Sequence, residues 1–226
     1  MEKIAIIRYY EIALKKGNRF VFENVLCDNI RQTLHGVKFK LINARGRIFL
    51  TNFENEDIII EKLQKIPGIS SFSIAKKIKT DLETIKSESL LHLQEQNFDE
   101  SSTFRVETNR VYKKFPLNSL ATSKEVAEFV LSVLNFKVNL TKADIVLGIE
   151  IYENETYIFT NKISGLDGLP VKSSGKLSLL LSGGIDSPVA GFLIMKRGIV
   201  LNAVYFHSSP YKIGRASCRE RVYHPV

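Results

Sequence analysis

The chain has 226 residues, of which 44% are hydrophobic and 25% charged, proportions typical of a globular protein. The length allows one large domain or two small ones, and we find neither an apolar run long enough for a membrane-spanning helix nor a signal-peptide core after Met1. Two cysteines give no disulfide framework, which favours a reducing, cytoplasmic location. The lack of a long apolar run predicts no membrane partner. The net charge of +8 fits a nucleic-acid partner or simply a soluble basic protein.

The C-terminal segment, residues 212–226, differs in character from the rest of the chain. Its stretch 213–222 resembles a translated sequencing adapter, so we interpret the segment as an artefact rather than a natural basic tail. The segment carries a net charge of +3, which leaves +5 for the other residues and weakens the charge argument for a nucleic-acid partner. Cys27 is then the one natural cysteine, and its apolar neighbours favour a core position over a nucleophile.

The first unit, residues 1–72, alternates strand and helix patterns. We predict strands over 3–9, 37–42, 48–53 and 69–79, and helices over 20–34 and 57–66, the second capped by Asp57. The order β-α-β-β-α-β is typical of a ferredoxin-like domain.

The second unit, residues 73–165, also mixes helix and strand, so the front half is predicted to be α+β. We predict a helix starting after Asp81, a strand over 103–111, a helix over 124–134 and a hairpin of strands 144–152 and 155–163. The composition then changes to Gly, Pro, Ser and Lys, which predicts a linker over residues 166–176.

The third unit begins with a motif that can bind an anion. An apolar run over 177–181 leads into Ser182-Gly183-Gly184-Ile185-Asp186-Ser187, and a helical pattern follows from Pro188 to Arg197. Glycines let the backbone approach a ligand closely, and a helix N-terminus adds partial positive charge. The motif matches neither the Walker nor the dinucleotide pattern, and we predict a phosphate cradle rather than an ordinary glycine-rich turn. A parallel strand is predicted over 199–206.

Residues 182–187 resemble the signature of the PP-loop ATP pyrophosphatases, enzymes that split ATP between its α and β phosphates. The residues around the motif are similar to those of one group, the tRNA 4-thiouridine synthetases. These segments are the opening 8–19, the stretches 104–110 and 114–119, the linker and the strand at Phe206-His207-Ser208. The resemblance runs collinearly over residues 1–211. It implies a THUMP domain, an RNA-binding fold, over 73–165, and the start of an α/β PP-loop domain of the adenine nucleotide alpha hydrolase-like kind over 177–211.

Four positions depart from the pattern of that family. Tyr10 and Lys172 stand where the family usually has glycine, and Lys15-Lys16-Gly17 stands where it has Lys-Gly-Lys. A second glycine is expected near Asp167. Each departure loses a flexible position, so we expect the loop after the first strand to sit differently.

The resemblance implies a tRNA uracil 4-sulfurtransferase that adenylates O4 of a tRNA uridine with ATP and Mg²⁺. A persulfide sulfur, donated by a cysteine desulfurase, then displaces AMP, and some relatives also serve thiamine synthesis. A homodimer is a further alternative. By carry-over, the adenosine-binding residues would be Leu180, Leu181, Tyr205 and Phe206, the phosphate-binding residues Ser182, Gly183, Gly184 and Ser187, and the catalytic residues Asp186 and Ser187. We predict no dedicated metal-ligand set.

RNA contacts are predicted in both front units. They are Lys15, Lys16 and Arg19 in the first unit and Arg110, Lys113 and Lys114 in the second, with Tyr112 or Phe115 stacking on an unpaired base. The alternative is a solvated face with aromatic core residues.

No persulfide cysteine lies within residues 1–211, so we expect this chain to bind tRNA weakly, bind ATP poorly and transfer no sulfur. Two other functions stay open: a different PP-loop tRNA-modifying or nucleotide enzyme, and a non-catalytic THUMP-type RNA-binding fragment.

Overall fold

The structure, a computed structural model, describes residues 3–44, 46–99 and 101–206. The interpreted adapter segment lies outside the described residues, as do His207 and Ser208 of the resemblance. The strands are β1 Lys3–Arg8, β2 Lys40–Ala44, β3 Arg47–Thr51, β4 Ser71–Ile78, β5 Thr103–Arg110, β6 Lys137–Val138, β7 Ile145–Ile151, β8 Thr156–Phe159, β9 Ile163–Ser164, β10 Lys176–Leu180 and β11 Val200–Val204. The helices are a short 3₁₀ helix Glu11–Leu14, α1 Arg19–Thr33, α2 Glu56–Leu63, α3 Leu82–Glu95, α4 Ser119–Leu131 and α5 Asp186–Met195.

Both front units share one sheet of nine strands. Its order is β2-β3-β1-β4-β8-β7-β5-β6, with β9 beside β4. Strand β4 joins the units, because it pairs antiparallel with β1 from Ser71 to Lys76 and with β8 from Lys76 to Ile78. The boundary expected between residues 72 and 73 therefore falls inside a strand.

The first unit has the predicted β-α-β-β-α-β order, with α1 and α2 packed on one face of the sheet. Cys27 is 2% exposed in this core, beside Leu26 and Ile30. Burial raises the pKa of its thiol to about 11, so the sulfur stays protonated at neutral pH. The expectation that Cys27 is a core residue rather than a nucleophile is confirmed.

The second unit packs α3 and α4 against β5, β7 and β8, and the predicted hairpin of β7 and β8 is confirmed.

Two predicted helix starts, one in each front unit, are wrong. Helix α4 begins at Ser119 rather than Lys124, because Asn118 caps it by accepting a hydrogen bond of 2.8 Å from the Ala121 N–H. Helix α2 is capped by Asn55, not by Asp57, which lies in its first turn.

A buried ion cluster joins the two units on the face opposite the helices. Glu150, whose side chain is 4% exposed, accepts hydrogen bonds from Arg8 at 2.8 and 3.0 Å, from Arg47 at 3.4 Å and from the Tyr152 hydroxyl at 3.1 Å. Arg8 also donates to Ser73 Oγ at 3.0 Å. The cluster ties β1 and β3 of the first unit, together with the shared strand β4, to β7 of the second unit.

The third unit consists of β10, α5 and β11. The two strands pair in parallel, from Lys176 opposite Val200 to Leu180 opposite Val204, as predicted. Gly191 lets α5 approach them, since an added Cβ would lie 2.8 Å from a Leu201 methyl carbon. Apolar side chains on the outer face of α5 stay exposed. Among the described residues no helix is long and apolar enough to cross a membrane.

Candidate functional site

The glycine-rich loop lies between the end of β10 and the start of α5. Gly183 and Gly184 do not have positive φ, so the backbone conformation does not require glycine there. An added Cβ at Gly183 would meet no atom within 4 Å, and one at Gly184 would lie 3.5 Å from Ser182 Oγ. Packing within the described residues therefore does not demand glycine at either position. Within the described residues, the two glycines leave the backbone uncovered at the N-terminus of α5, the positive end of the helix dipole, which favours a phosphate group.

The two serines of the motif hold the ends of the loop together. Ser187 Oγ accepts a hydrogen bond from the Ser182 N–H at 3.1 Å and lies 3.0 Å from Ser182 Oγ. Ser182 Oγ also accepts from the Gly184 N–H at 3.2 Å. This network shapes the loop, so Ser187 has a positioning role here whatever it contributes to chemistry.

The residues predicted to hold adenosine lie side by side. Leu180 and Leu181 leave β10 as Tyr205 and Phe206 leave β11, and the Leu181 N–H donates to the Val204 carbonyl at 2.8 Å. Ligands of open α/β sheets bind outside the carboxyl ends of the strands. The fold therefore brings the four predicted residues together at the edge of the sheet where such a ligand binds.

Asp186 is the first residue of α5 and carries an exposed carboxylate beside the loop. Mg²⁺ prefers oxygen ligands and is often bound by one or two carboxylates together with substrate phosphates. Within the described residues no group of three or more His, Cys, Asp or Glu side chains could hold a metal. Asp186 thus fits a metal ion that arrives with the phosphates of a nucleotide.

Of the RNA contacts predicted in the first unit, two are exposed and one is engaged in packing. Lys15 and Lys16 lie exposed in the turn after the 3₁₀ helix. Arg19 instead donates to Glu23 at 2.7 Å and to the Tyr9 hydroxyl at 2.8 Å. Burial, and next the hydrogen bond to Glu23, raise the pKa of the Tyr9 phenol. The guanidinium of Arg19 stabilises this half-buried network. Of the three side chains predicted to contact RNA in the first unit, Lys15 and Lys16 are therefore the two that are exposed.

Arg110, predicted to contact RNA, instead stabilises the loop between β5 and α4 by hydrogen bonds to the backbone of that loop. Its Nη1 donates to the carbonyls of Lys113 and Phe115, both at 3.1 Å. Lys113 and Lys114 are exposed at the tip. The suggestion that Phe115 stacks on a base is wrong, because its ring is 6% exposed in the core of the second unit, and Tyr112 is half-buried beside it.

Sequence reasoning missed the residues that hold these surfaces in place. Asn118 ends the Lys113–Lys114 loop by capping α4, and its spacing to a helical pattern could have predicted it. The Ser182–Ser187 contact and the Glu150 cluster depend on side-chain geometry that no local pattern indicates.

Three known families match consecutive parts of the chain: ThiI ferredoxin-like domain over residues 4–73, THUMP domain over 79–161 and Thiamine biosynthesis protein (ThiI) over 172–224. A probable tRNA sulfurtransferase from Halothermothrix orenii is 46% identical over 223 residues, covering 96% of this chain. The chain belongs to the tRNA sulfurtransferase (ThiI) family. It spans only 56% of the length of that relative. The third family match continues into the segment interpreted as an adapter, and that interpretation stays a prediction.

Solved structures similar to this chain have the same fold. The structure of PH1313 from Pyrococcus horikoshii is 34% identical, with a TM-score of 0.78 over 91% of this chain and 69% of that one. A 4-thiouridine synthetase solved as an RNA complex with bound ATP is 35% identical, also with a TM-score of 0.78, over 93% of this chain and 54% of that one. TrmN from Thermus thermophilus, at 11% identity and a TM-score of 0.54, shares the fold alone. The predicted ferredoxin-like, THUMP and PP-loop organisation is confirmed.

Proposed function

We propose that the chain is the front part of an ATP-dependent tRNA uracil 4-sulfurtransferase. Its two front units bind tRNA, and its third unit supplies the phosphate-binding loop. The observation that carries the proposal is the loop itself, whose two glycines are required neither by backbone conformation nor by packing among the described residues. The 4-thiouridine synthetase of similar fold, crystallised with RNA and ATP, supports the same assignment.

The chemistry proposed for the complete enzyme has two stages. Uridine O4 attacks the α phosphorus of ATP, the bond to the bridging oxygen breaks, and pyrophosphate leaves. The terminal sulfur of a cysteine persulfide then bonds to C4 as AMP leaves. Finally a thiol attacks the cysteine sulfur, which forms a disulfide and releases 4-thiouridine. Mg²⁺ would neutralise charge on the phosphates during the first stage.

The residues of this chain would serve only the first stage. Backbone N–H groups of the loop and the N-terminus of α5 would orient the phosphates, since catalysis of such transfers depends mainly on positioning and charge stabilisation. Asp186 would place the metal ion, and residues 180–181 with 205–206 would flank the adenosine. We propose that this chain alone binds tRNA weakly, binds ATP poorly and transfers no sulfur.

Sulfur would come from a cysteine desulfurase in the cytoplasm. The name of the third matching family, Thiamine biosynthesis protein, favours a second use of the same sulfur for the thiamine thiazole. We also propose that the complete protein forms a homodimer. The molecular mass of the complete protein in solution would test this.

The RNA part of the proposal can be tested with this chain. Fluorescence anisotropy with labelled tRNA should show affinity that falls steeply with salt, because phosphate contacts release counterions. Lys113→Ala with Lys114→Ala should reduce the slope of log K against log salt by about 1 to 2. Lys38→Ala is the matched control, since Lys38 is an exposed lysine paired with Glu54 on the first unit. Equal slopes for all three proteins would remove these lysines from the interface.

The catalytic part needs a chain extended to the length of its relatives. Pyrophosphate release that depends on tRNA should fall when Gly183→Val fills the space above the loop, while tRNA affinity stays unchanged. The melting temperature should also stay unchanged, because a Cβ added at Gly183 meets no described atom within 4 Å. A non-catalytic RNA-binding function would be indicated by tRNA binding without any pyrophosphate release from the unaltered protein.

A further inference from the structure

The segment that contains the predicted linker, residues 166–176, is bound to the first unit by backbone hydrogen bonds. The Gly165 N–H donates to the Ser70 carbonyl at 2.9 Å, and the Asp167 N–H to the Ile69 carbonyl at 2.8 Å. In return the Gly68 N–H donates to the Asp167 carbonyl at 2.9 Å. Residues 165–175, called the strap below, therefore continue the hydrogen bonding of the first unit.

Side chains fix the strap to the same unit. Leu169 is 4% exposed and belongs to the core formed by α1, α2 and the sheet. Asn29, on α1, donates from Nδ2 to the Val171 carbonyl at 3.0 Å. Lys172 reaches Gln32, also on α1, at 3.0 Å.

The other side of the strap holds the third unit. The Leu169 N–H donates to the Lys196 carbonyl at 2.8 Å, and the Ser174 N–H to the Gly198 carbonyl at 3.0 Å. Gly168 has a φ of +82°, and an added Cβ would lie 2.2 Å from the Lys196 carbonyl oxygen. The strap thus touches the end of the helix whose beginning forms the phosphate loop.

An ion pair forms a second contact between the same two units. Arg197 Nη1 lies 2.9 and 3.0 Å from the two carboxylate oxygens of Glu11. Glu11 begins the 3₁₀ helix that leads into Lys15 and Lys16, the exposed cations of the first unit. Because the pair is largely exposed, its contribution to stability is small, but it links the α5 end to the predicted RNA contact.

We propose that the strap, with Glu11 and Arg197, is a positioning element that fixes the phosphate loop relative to the RNA-binding surface of the first unit. This inference rests on the proposed function for its purpose and on the contacts above for its geometry. The third unit is carried by the first unit as one body. Gly168 is the critical residue, because only glycine permits both its φ and its approach to the Lys196 carbonyl.

Spin-label distances in the full chain test the geometry without RNA or ATP. Labels at the exposed positions Asn24 on α1 and Ala190 on α5, in a Cys218→Ser background, should give one narrow distance distribution. Gly168→Ala should broaden it. Gly175→Ala is the matched control, since Gly175 has a φ of +92° but no atom within 4 Å of an added Cβ. A broad distribution in the unaltered protein, no broadening with Gly168→Ala, or equal broadening with the control would overturn the proposal.

Charge reversal at the ion pair tests the same geometry by a second route, which is needed if Gly168→Ala unfolds the third unit. Glu11→Arg should broaden the same distribution, and Arg197→Glu added to it should restore the narrow one. Failure of the double variant to restore it would remove the ion pair from the positioning element.

Activity of the extended chain connects the geometry to function. Because a misplacement of about 1 Å can reduce a rate about 100-fold, Gly168→Ala should lower tRNA-dependent pyrophosphate release by up to that factor at unchanged tRNA affinity. An equal loss of tRNA affinity would contradict a role in placing the loop. Absence of tRNA-dependent pyrophosphate release from the unaltered extended protein would refute the proposed function instead, and the distance result would stand by itself.

Discussion

Glu150→Gln is the sharpest perturbation of the sheet that the two front units share. The carboxylate is buried, lies within hydrogen-bond reach of two arginines and accepts from Tyr152. The amide keeps the volume but removes the negative charge and turns one acceptor into a donor. Arg8, whose side chain is 12% exposed, would then be a buried cation without a counterion.

The magnitude follows from burial. Removing one partner of a fully buried ion pair costs about 3 to 5 kcal/mol. Arg47 is 27% exposed and can recover some hydration, and the remaining amide oxygen can still accept from Arg8, so we expect a loss of about 2 to 4 kcal/mol. For a chain of this length that corresponds to a melting temperature about 5 to 15 °C lower.

Thermal unfolding followed by circular dichroism measures this loss, with urea unfolding as a second probe. Glu155→Gln is the matched control, since Glu155 pairs with Lys77 and its side chain is 34% exposed. The control should cost less than about 1 kcal/mol. If both variants melt at the same temperature, the cluster contributes no more than a surface ion pair and the reasoning from burial fails.

Four further stability predictions use melting temperature as the measurement. Lys172→Gly should raise it, because Lys172 has a φ of +80° and the left-handed conformation costs about 1 kcal/mol in a residue with a Cβ; Tyr10→Gly, at a φ of −108°, should lower it by an amount equivalent to about 0.5 to 1 kcal/mol. Burial, and next the charge of the neighbouring carboxylate, raise the pKa of Tyr152, so its stabilising contribution is full below the ordinary value of 10.0 and is lost as the pH rises above it. Tyr152→Phe should therefore make the alkaline decline of the melting temperature shallower, without abolishing it, because the pKa of Tyr9 is raised as well. Asn118→Ala should cost about 1 kcal/mol through loss of the α4 cap, and no change in melting temperature would show that the cap is dispensable.

Local patterns predicted the order of elements but not how the two front units combine. The apolar periodicity of residues 69–79 indicated one strand, and β4 is one strand. Its pairing with β8, which makes a single sheet, depends on contacts about 80 residues away that no period reveals. The sequence indicates the Glu150 cluster only weakly. Arg8 is a charged residue at the end of β1, and Glu150 is a charged residue within the apolar strand β7.

The candidate site was predictable where its chemistry is local. The run 182–187 combines glycines with a helix start, and the structure has the strand, loop and helix in that order. The roles of individual side chains were less predictable. Arg19, Arg110 and Phe115 are of residue types that often contact RNA, but they make contacts within the protein. A basic or aromatic residue in a loop can serve either purpose, and sequence does not show which groups lie beneath it.

The composition of the strap predicts a linker, and the same composition also permits fixed contacts. Glycine provides conformational freedom, but it equally permits close contact, as at Gly168 beside the Lys196 carbonyl. Two residues of the strap that are not glycine, Asp167 and Lys172, have φ values of +58° and +80°. A free segment would relax from a conformation that costs about 1 to 2 kcal/mol per residue, so such strain persists only where the surroundings fix the backbone. The hydrogen bonds and the buried Leu169 must therefore outweigh that cost, which makes residues 165–175 a fixed connection between the first unit and the phosphate loop.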